Sequence, residues 1–227
     1  NCKVAILFVY SNVLSNEFKE ALSLSNIAKT FFFGVPYIYL KREVSIKNIK
    51  RLRWSLKYLF KLRKGLIKEG YDIIIPFQNT QSKIAYYLYK LLPTVKYTFW
   101  HQLGLDILKH DVFESIAVNN MPCIIGNAEN CLDVFKTDYK VKTSKLNLLP
   151  QYLSLQKQHR DKEAIKTNLK IPKDKFVFGM IAHFKSFKYH NLLLKVFESA
   201  HKKYPNTHLV LMGNKENDEK TLKIYND

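Results

Sequence analysis

The chain has 227 residues, of which 47% are hydrophobic and 25% charged, a balance that excludes disordered, collagen-like and low-complexity proteins. Lys and Arg number 37 against 19 Asp and Glu, so the net charge is +18, and the expected partners are anionic: phosphate-bearing ligands, nucleic acid or an acidic membrane face. Three Cys at irregular spacing fit neither a disulfide framework nor a zinc site, and they predict reduced thiols inside a cell. No apolar run approaches the ~18 residues of a membrane span.

Runs of β-branched and aromatic residues alternate with longer stretches of 3.6-residue period. This alternation is typical of βαβ units around a parallel sheet, so the predicted fold class is α/β. In chain order, the predicted strands are residues 3–10, 29–33 with 37–40, 71–76, 95–100, 123–126, 145–149, 175–182 and 207–212. The predicted helices are residues 46–68, 81–92, 111–119, 128–136, 162–169 and 191–203, with Asp161 as the N-cap of the fifth.

The composition changes after residue 149, where a polar and basic stretch leads to Pro172 and then to a new apolar strand. We therefore predict a first Rossmann-like domain at residues 1–155, a junction at 156–174 and a second domain at 175–227. Two strands and one helix are too few to cover both faces of a parallel sheet in that second domain. This count, and an opening without Met, lead us to expect an internal fragment of a longer protein.

The predicted helix at 46–68 lies in a segment, residues 41–70, that holds eleven Lys/Arg against two Glu. On a helical wheel the cations, Trp54 and Tyr58 share one side, and the other side carries an apolar stripe of Ile46, Ile49, Leu52, Leu56, Leu59, Phe60, Leu66 and Ile67. An anionic membrane surface is one predicted partner, because headgroups favour both cations and exposed rings. A solvated helix that packs its stripe on the sheet is the alternative. Nucleic acid is not expected, since no motif of nucleic-acid-binding proteins accompanies the charge.

Polar residues that directly follow two apolar strands are candidates for substrate contact, because ligands of open α/β sheets bind at the carboxyl ends of strands. Gln78 and Asn79 follow the first strand, and His101, Gln102 and Gly104 follow the second. His101 is the candidate catalytic residue, and the amide side chains suit sugar hydroxyls. The alternative for His101 is a core or helix-capping role. No spacing of His, Cys and carboxylates predicts a metal site.

The segment from residue 171 reads as a strand, a basic turn, a helix and a second strand. The turn carries His183, Lys185 and Lys188, and the second strand ends in Gly213. Cations and backbone N–H groups at a strand-to-helix turn favour a phosphate group.

This pattern resembles the retaining glycosyltransferases of family 4, which have the GT-B fold of two facing Rossmann-like domains. The resemblance rests on Gly179, Lys188, the Lys-Tyr-Pro turn at 203–205 and the strand ending in Gly213. It extends back to residue 71 and places Asn127 near a Ser of the family.

Two positions depart from the family pattern. His183 stands where the family has an Arg that helps to hold the donor diphosphate, and Tyr189 stands where Gly is common. Because a neutral His binds phosphate poorly, the departure at residue 183 bears directly on donor binding.

The resemblance implies an enzyme that moves a sugar, with retained anomeric configuration, from a nucleotide-diphosphate donor to a glycan or glycolipid acceptor, with no cofactor besides the donor. It assigns the donor phosphates to Gly179, His183 and Lys188, with weaker donor contacts at Gly213 and Asn214. The substrate contacts would be Gln78, Asn79, Gln102, Gly104 and Asn127.

By extension we expect a role in bacterial surface polysaccharide biosynthesis, on the cytoplasmic, inner face of the cell membrane. The family's Gly-rich loop and its Glu-x7-Glu stretch are not in the sequence, so residues 1–227 alone are expected to be inactive. The alternatives are a non-enzymatic sugar-nucleotide or polyanion-binding α/β module and a basic nucleic-acid-binding protein.

Overall fold

The computed structural model describes residues 3–11, 13–104, 108–152 and 161–214. The chain divides into two compact units, Asn1–Leu153 and Ser154–Asp227. Every strand pair in the described residues is parallel, so the predicted α/β class is confirmed. No helix within the described ranges combines the length and apolarity needed to cross a bilayer.

The elements of the first unit are β1 (Val4–Phe8), α1 (Asn16–Ser23), β2 (Ile27–Phe32), α2 (Ile46–Leu66), β3 (Ile73–Ile74), α3 (Asn79–Leu91), β4 (Tyr97–Thr98), β5 (Trp100–Gln102), α4 (Val112–Asn120), β6 (Ile124–Gly126), α5 (Glu129–Thr137) and β7 (Leu146–Leu148). The second unit contains α6 (Lys162–Asn168), β8 (Phe176–Ile181), α7 (His190–Lys203) and β9 (Thr207–Met212). The strands pair as β1-β2, β3-β4, β5-β6-β7 and β8-β9. Helix α6, which falls inside the predicted junction, belongs to the second unit.

Two apolar clusters form the core of the first unit. The first joins α2 and α3 and includes Leu59, Leu62, Leu66, Ile84 and Leu88. The second surrounds the fully buried ring of Trp100, whose neighbours come from α4, β6 and α5. Helix α3 contributes to both clusters, through Ile84 and Leu88 to the first and through Tyr86 to the second. Its position is therefore fixed from two sides.

Helix α1 was not predicted from the sequence. None of its residues is buried, so the apolar periodicity that identifies a packed helix is weak there. Its local signal is a cap: the Ser15 hydroxyl accepts the Phe18 N–H, and Glu17 lies in the first turn.

The prediction of a strand at residues 37–40 was wrong. Side chains of α2 take up backbone groups of this stretch and of Lys41, which follows it: the Tyr39 N–H donates to Ser55 Oγ, and the Lys41 N–H donates to Asn48 Oδ1. The Leu40 carbonyl accepts the N–H of Val112. Partners supplied by a helix therefore replace the ladder of a sheet.

The alternative in which α2 packs its apolar stripe inward holds only in part: Leu59 and Leu66 are buried, but the helix also buries polar side chains. Its buried face includes Asn48, Ser55 and Tyr58, and the Tyr58 hydroxyl donates to the Gly34 carbonyl oxygen at 3.3 Å. Burial raises the pKa of Tyr58 to about 12. Because polar side chains form part of the inner face, five residues of the predicted core stripe face solvent instead: Ile46, Ile49, Leu52, Leu56 and Phe60.

Asn48 is the strongest of these polar links. Its Nδ2 donates to the carbonyls of Lys41 and Glu43, both at 2.6 Å, and its Oδ1 accepts the Lys41 N–H at 3.1 Å. The buried amide thus holds the turn that enters α2.

We expect Asn48→Ala to lower the free energy of unfolding by about 2–3 kcal/mol, because it removes the three hydrogen bonds that the buried amide makes to the backbone of Lys41 and Glu43. Asn120→Ala is the matched control. It removes a single bond from Asn120 Nδ2 to the Ile116 carbonyl at an exposed helix end and should cost no more than about 0.5 kcal/mol. Urea unfolding followed by circular dichroism measures both, and equal costs would contradict the assigned role.

Candidate functional site

His101 lies inside a strand rather than after one. The predicted strand at 95–100 is split in two: β4 pairs with β3, and β5 pairs with β6, where His101 is in register with Ile125. The switch of partner between β4 and β5 moves the strand end two residues beyond the prediction, so His101 and Gln102 are strand residues.

The His101 side chain lies at the start of α3. Its Nδ1 accepts the Gln78 N–H at 3.3 Å, its backbone N–H donates to Ser82 Oγ at 2.9 Å, and its ring meets the edge of Phe77. An accepting Nδ1 assigns the proton of the neutral ring to Nε2. Burial lowers the pKa of His101. At neutral pH the ring is therefore an uncharged hydrogen-bond donor through Nε2.

The first turn of α3 shows two features of a binding site. Gln78, which precedes the helix, has a φ of 71°, a region that non-glycine residues seldom occupy. In the described residues, the Asn79 Oδ1 and Gln81 Oε1 atoms are buried without a hydrogen-bond donor. Such acceptors are suited to a ligand hydroxyl. Sequence reasoning found Gln78 and Asn79 but missed Gln81, which it treated only as the start of the helix.

The structure gives Gln102 a structural role. Its side chain is 1% exposed, its Oε1 accepts the Trp100 Nε1–H, and its Nε2 donates to the Gly104 carbonyl. The Gly104 N–H donates in turn to Asn127 Oδ1 at 2.9 Å, and Gly104 has a φ of +67°. Gln102, Gly104 and Asn127 therefore fasten the ends of β5 and β6 to each other.

A pocket of about 710 Å³ opens beside α3 in the first unit. Its lining combines aromatic rings with cations, and consists of Tyr10, Pro36, Tyr37, Ile38, Tyr39, Thr80, Lys83, Leu108 and Lys109. Tyrosine rings offer apolar faces and hydroxyls together, which suits a sugar ring. Sequence reasoning missed this pocket. Its one local signal is Tyr10, a polar-tipped ring just beyond the end of β1.

One pocket-lining cation, Lys83, belongs to a buried ion pair. The Lys83 Nζ is 2.8 Å from Asp111 Oδ2, with the two side chains 6% and 0% exposed. Asp111 Oδ1 also accepts the Glu114 N–H, so Asp111 is the N-cap of α4. The pair joins α3 to the N-cap of α4 through a residue that also lines the pocket.

Glu114 extends this polar group. Its carboxylate accepts the backbone N–H groups of Lys109 and His110 and, at 2.6 Å, the hydroxyl of Tyr139. Burial and the hydrogen bond to Glu114 raise the pKa of Tyr139 far above its usual range. Glu114 thus holds two residues that precede α4 through their backbone N–H groups, and one of them, Lys109, lines the pocket.

In the second unit, the ends of β8 and β9 bring His183, Gly213 and Asn214 together. The Ala182 N–H donates to the Met212 carbonyl, and the Phe184 N–H donates to the Asn214 carbonyl. A Cβ on Gly213 would overlap the Ala182 carbonyl, so only glycine fits there.

Gly179 is not part of this cluster. It pairs with Val210 in the middle of β8, four residues before His183, or roughly 13 Å along the strand. A Cβ there would meet only the Val210 carbonyl, at ordinary contact distance. The structure therefore gives Gly179 no place at the turn.

The turn that follows leads into α7. Lys188 is exposed, and its Nζ lies 5.4 Å from the centre of the Phe187 ring. Tyr189 has a φ of 56° and provides no side-chain cap for the helix. Gly adopts this left-handed conformation without strain, whereas a Tyr there is strained.

His190, which sequence reasoning missed, begins α7. It is 2% exposed and stacks on Phe184 with 4.6 Å between ring centres. Its Nδ1 is buried without a partner among the described residues. The described part of the chain contains no group of three or more His, Cys, Asp or Glu placed to hold a metal ion.

The second unit resembles a known protein family. Residues 161–225 match the family model described as glycosyl transferases group 1. No curated protein matches the sequence.

Solved structures match nearly the whole chain. HepE from Anabaena in complex with UDP and glucose has a TM-score of 0.64 at 11% identity, over 100% of this chain and 65% of its own. The same protein in complex with UDP gives 0.61 at 10% identity, over 97% and 71%. A glycosyltransferase from Rickettsia africae gives 0.55 at 10% identity, over 97% and 70%. The fold is of the GT-B type.

The GT-B likeness spans both units, whereas the match to glycosyl transferases group 1 lies in the second. The chain spans 65% of the length of HepE. At these identities the structural likeness establishes the fold and not the substrates.

We expect Lys83→Met to lower the free energy of unfolding by about 3–5 kcal/mol, because it leaves the Asp111 carboxylate buried without its counter-ion. The double variant Lys83→Met, Asp111→Asn should recover most of that loss, since Asn keeps the helix cap. Urea unfolding of wild type and both variants measures the effect. A double variant no more stable than the single one would contradict the pairing.

We expect the His101 ring to titrate below pH 6.5, its ordinary value, because burial disfavours the charged form. The unfolded chain then binds more protons than the folded one, so the contribution of His101 to stability is full above pH 6.5 and declines as pH falls toward its folded pKa. Proton NMR of the imidazole resonances checks the midpoint, with the urea-unfolded protein as reference. A midpoint at or above the unfolded value would contradict burial of the ring.

Proposed function

We propose that this chain acts in sugar transfer from a nucleotide-diphosphate donor to a glycan or lipid-linked acceptor. The observation that carries the proposal is the match of residues 161–225 to glycosyl transferases group 1, in a unit whose strand ends lead to a basic turn. A GT-B fold over the whole chain supports it.

The donor diphosphate would bind at the turn between β8 and α7. Negative charge builds up on the departing diphosphate when the bond to the sugar breaks, and fixed positive charge lowers the barrier most when it lies at that point. Lys188 supplies an exposed ammonium group there. The N–H groups at the start of α7, which no side chain caps, add the positive end of the helix dipole.

UDP is the nucleotide that we propose first, because HepE, a structural relative over the whole chain, is solved with UDP. We extend the proposal to retention of the anomeric configuration, as the resemblance to family 4 implies. The donor is a substrate, and the proposal involves no other cofactor.

The acceptor would bind at the pocket of the first unit. The rings of Tyr10, Tyr37 and Tyr39 offer faces for a sugar, and Lys109 offers a cation to an acidic or phosphorylated group. We propose that this sugar transfer serves bacterial surface polysaccharide biosynthesis and takes place on the cytoplasmic side of the cell membrane, where a lipid-linked acceptor is accessible.

His101 would orient a hydroxyl rather than accept its proton. Its Nδ1 already accepts the Gln78 N–H, so the neutral ring has Nε2–H to offer. Asn79 Oδ1 and Gln81 Oε1 are both buried and have no donor among the residues that the structure describes, so they would accept hydroxyl hydrogen bonds from the same sugar. The proposal therefore casts this cluster as a positioning group.

We expect Lys188→Ala to weaken UDP binding about 10- to 100-fold, which corresponds to one charge-assisted hydrogen bond. His183→Arg should strengthen binding, because a guanidinium holds phosphate where a neutral His does not. Lys173→Ala is the control, since Lys173 is also exposed but lies before β8.

Isothermal titration of the 227-residue chain with UDP, GDP, ADP and uridine measures these effects. The affinity for uridine, which has no phosphate, should be unchanged by either Lys188→Ala or His183→Arg. If no nucleoside diphosphate binds, the proposed function fails. If UDP binds equally well to wild type and Lys188→Ala, the phosphate site is elsewhere. If UDP binds but neither this chain nor a longer one that contains it transfers a sugar, the non-enzymatic sugar-nucleotide module is favoured.

A further inference from the structure

The outward side of α2 carries an apolar stripe that the fold does not use. We call Ile46, Ile49, Leu52, Leu56 and Phe60 the outer stripe. Their exposed fractions are 75%, 65%, 37%, 41% and 58%. Spacings of three and four residues place them on one face over roughly 20 Å of helix.

A band of cations runs beside the outer stripe. The basic band consists of Lys50, Arg53, Lys57 and Lys64, all exposed. Lys61 lies beside it, but its Nζ donates to the Phe33 carbonyl at 2.8 Å. Helix α2 has eight Lys/Arg and no Asp or Glu. In the described part of the chain, the only ion pair of α2 joins Arg51 to Glu43, so no carboxylate neutralises the band.

Trp54 lies at the far edge of the basic band. Its side chain is 60% exposed, and the Lys57 Nζ stands 5.7 Å from its ring centre. An exposed indole beside cations is typical of a helix at the headgroup level of a bilayer.

We propose that α2 is a membrane-docking helix that lies along the surface of a bilayer rich in anionic lipid, with the outer stripe inserted and the basic band on the headgroups. The outer stripe then contacts lipid chains, the basic band contacts headgroups, and the third face of the helix packs on its own domain. Asn48, Ser55 and Tyr58 bind the helix to its own domain, which frees the apolar residues for lipid.

The charge distribution favours this occupant over two others. A second copy of the chain would bring two helices without acidic residues against each other, which is repulsive. A nucleic acid would gain from the cations and nothing from five exposed aliphatic and aromatic side chains. Only an anionic bilayer is complementary to both the outer stripe and the basic band. The proposal rests on α2 alone, and its failure would leave the proposed sugar transfer untouched.

The first test is sedimentation with vesicles of phosphatidylcholine alone or with one quarter phosphatidylglycerol. The wild-type chain should pellet with the anionic vesicles and weakly with the neutral ones. Lys50→Gln, Arg53→Gln, Lys57→Gln together should weaken binding roughly a hundredfold, at about fivefold per cation. Lys140→Gln, Lys142→Gln, Lys173→Gln removes three exposed cations elsewhere and is the matched control.

The second variant set separates insertion from charge attraction. Ile49→Ser, Leu56→Ser, Phe60→Ser changes only exposed side chains, so the fold should be kept, and binding should fall at least tenfold. Val13→Ser, Leu24→Ser, Leu169→Ser changes three exposed apolar residues outside α2 and should leave binding unchanged.

Trp54 gives a direct optical readout, because the chain has two Trp and the other, Trp100, is fully buried. Anionic vesicles should shift the emission to shorter wavelength, and brominated lipid should quench it. Trp54→Phe should abolish the shift while the protein still pellets.

Three results would overturn the proposal. One is equal pelleting of the wild-type chain with neutral and anionic vesicles. Another is unchanged vesicle binding by the triple variant Ile49→Ser, Leu56→Ser, Phe60→Ser. The third is binding to duplex DNA at physiological salt that is tighter than binding to the anionic vesicles and that is lost in the triple variant Lys50→Gln, Arg53→Gln, Lys57→Gln. That result would make α2 a nucleic-acid-binding helix.

Discussion

The buried ion pair between Lys83 and Asp111 is the constraint on which the first unit depends. Both charges are removed from water, and each is tolerable only while the other is in place. The pair joins the helix that contributes to both apolar clusters to the cap of the next helix. Through Glu114 it also fixes the backbone of Lys109 at the pocket. The pocket-lining residues Thr80 and Lys83 of α3 therefore share one support with Lys109, although Lys109 lies far from them in the sequence.

Polar groups inside the protein also explain the unusual form of α2. A helix normally turns its apolar face inward, because that burial stabilises the fold. Here part of the inner face consists of Asn48, Ser55 and Tyr58, which satisfy the backbone of the segment leading to the pocket. The cost of burying polar groups is offset by hydrogen bonds. The apolar residues that would otherwise fill the core are left on the outside, next to the cations.

Sequence patterns predicted the α/β class, the parallel strands and all helices except α1. The ends of β9 and the Asp161 cap of α6 were predicted to the residue, because periodicity and capping are local properties. The strand at residues 37–40 and the inner face of α2 were not predictable in this way, since their hydrogen bonds join groups distant in sequence, such as Tyr39 with Ser55 and Gly34 with Tyr58, which are 16 and 24 residues apart. The pocket was missed for the same reason. Tyr10, Tyr37, Lys83 and Lys109 meet only through the tertiary fold, whereas the turn at Lys188 is a continuous segment and could be recognised.

The outward position of Ile49, Leu56 and Phe60 has a consequence for the protein in solution. Positive charge of the same sign on every molecule keeps these apolar patches apart in dilute buffer, across a Debye length of about 10 Å at 0.1 M salt. At 1 M salt that length shrinks to about 3 Å, so the repulsion no longer extends beyond the side chains. Contact between bare patches then becomes favourable. High salt, which is often used to reduce non-specific binding by a basic protein, would here promote self-association. A mild detergent that covers the apolar patch would prevent it.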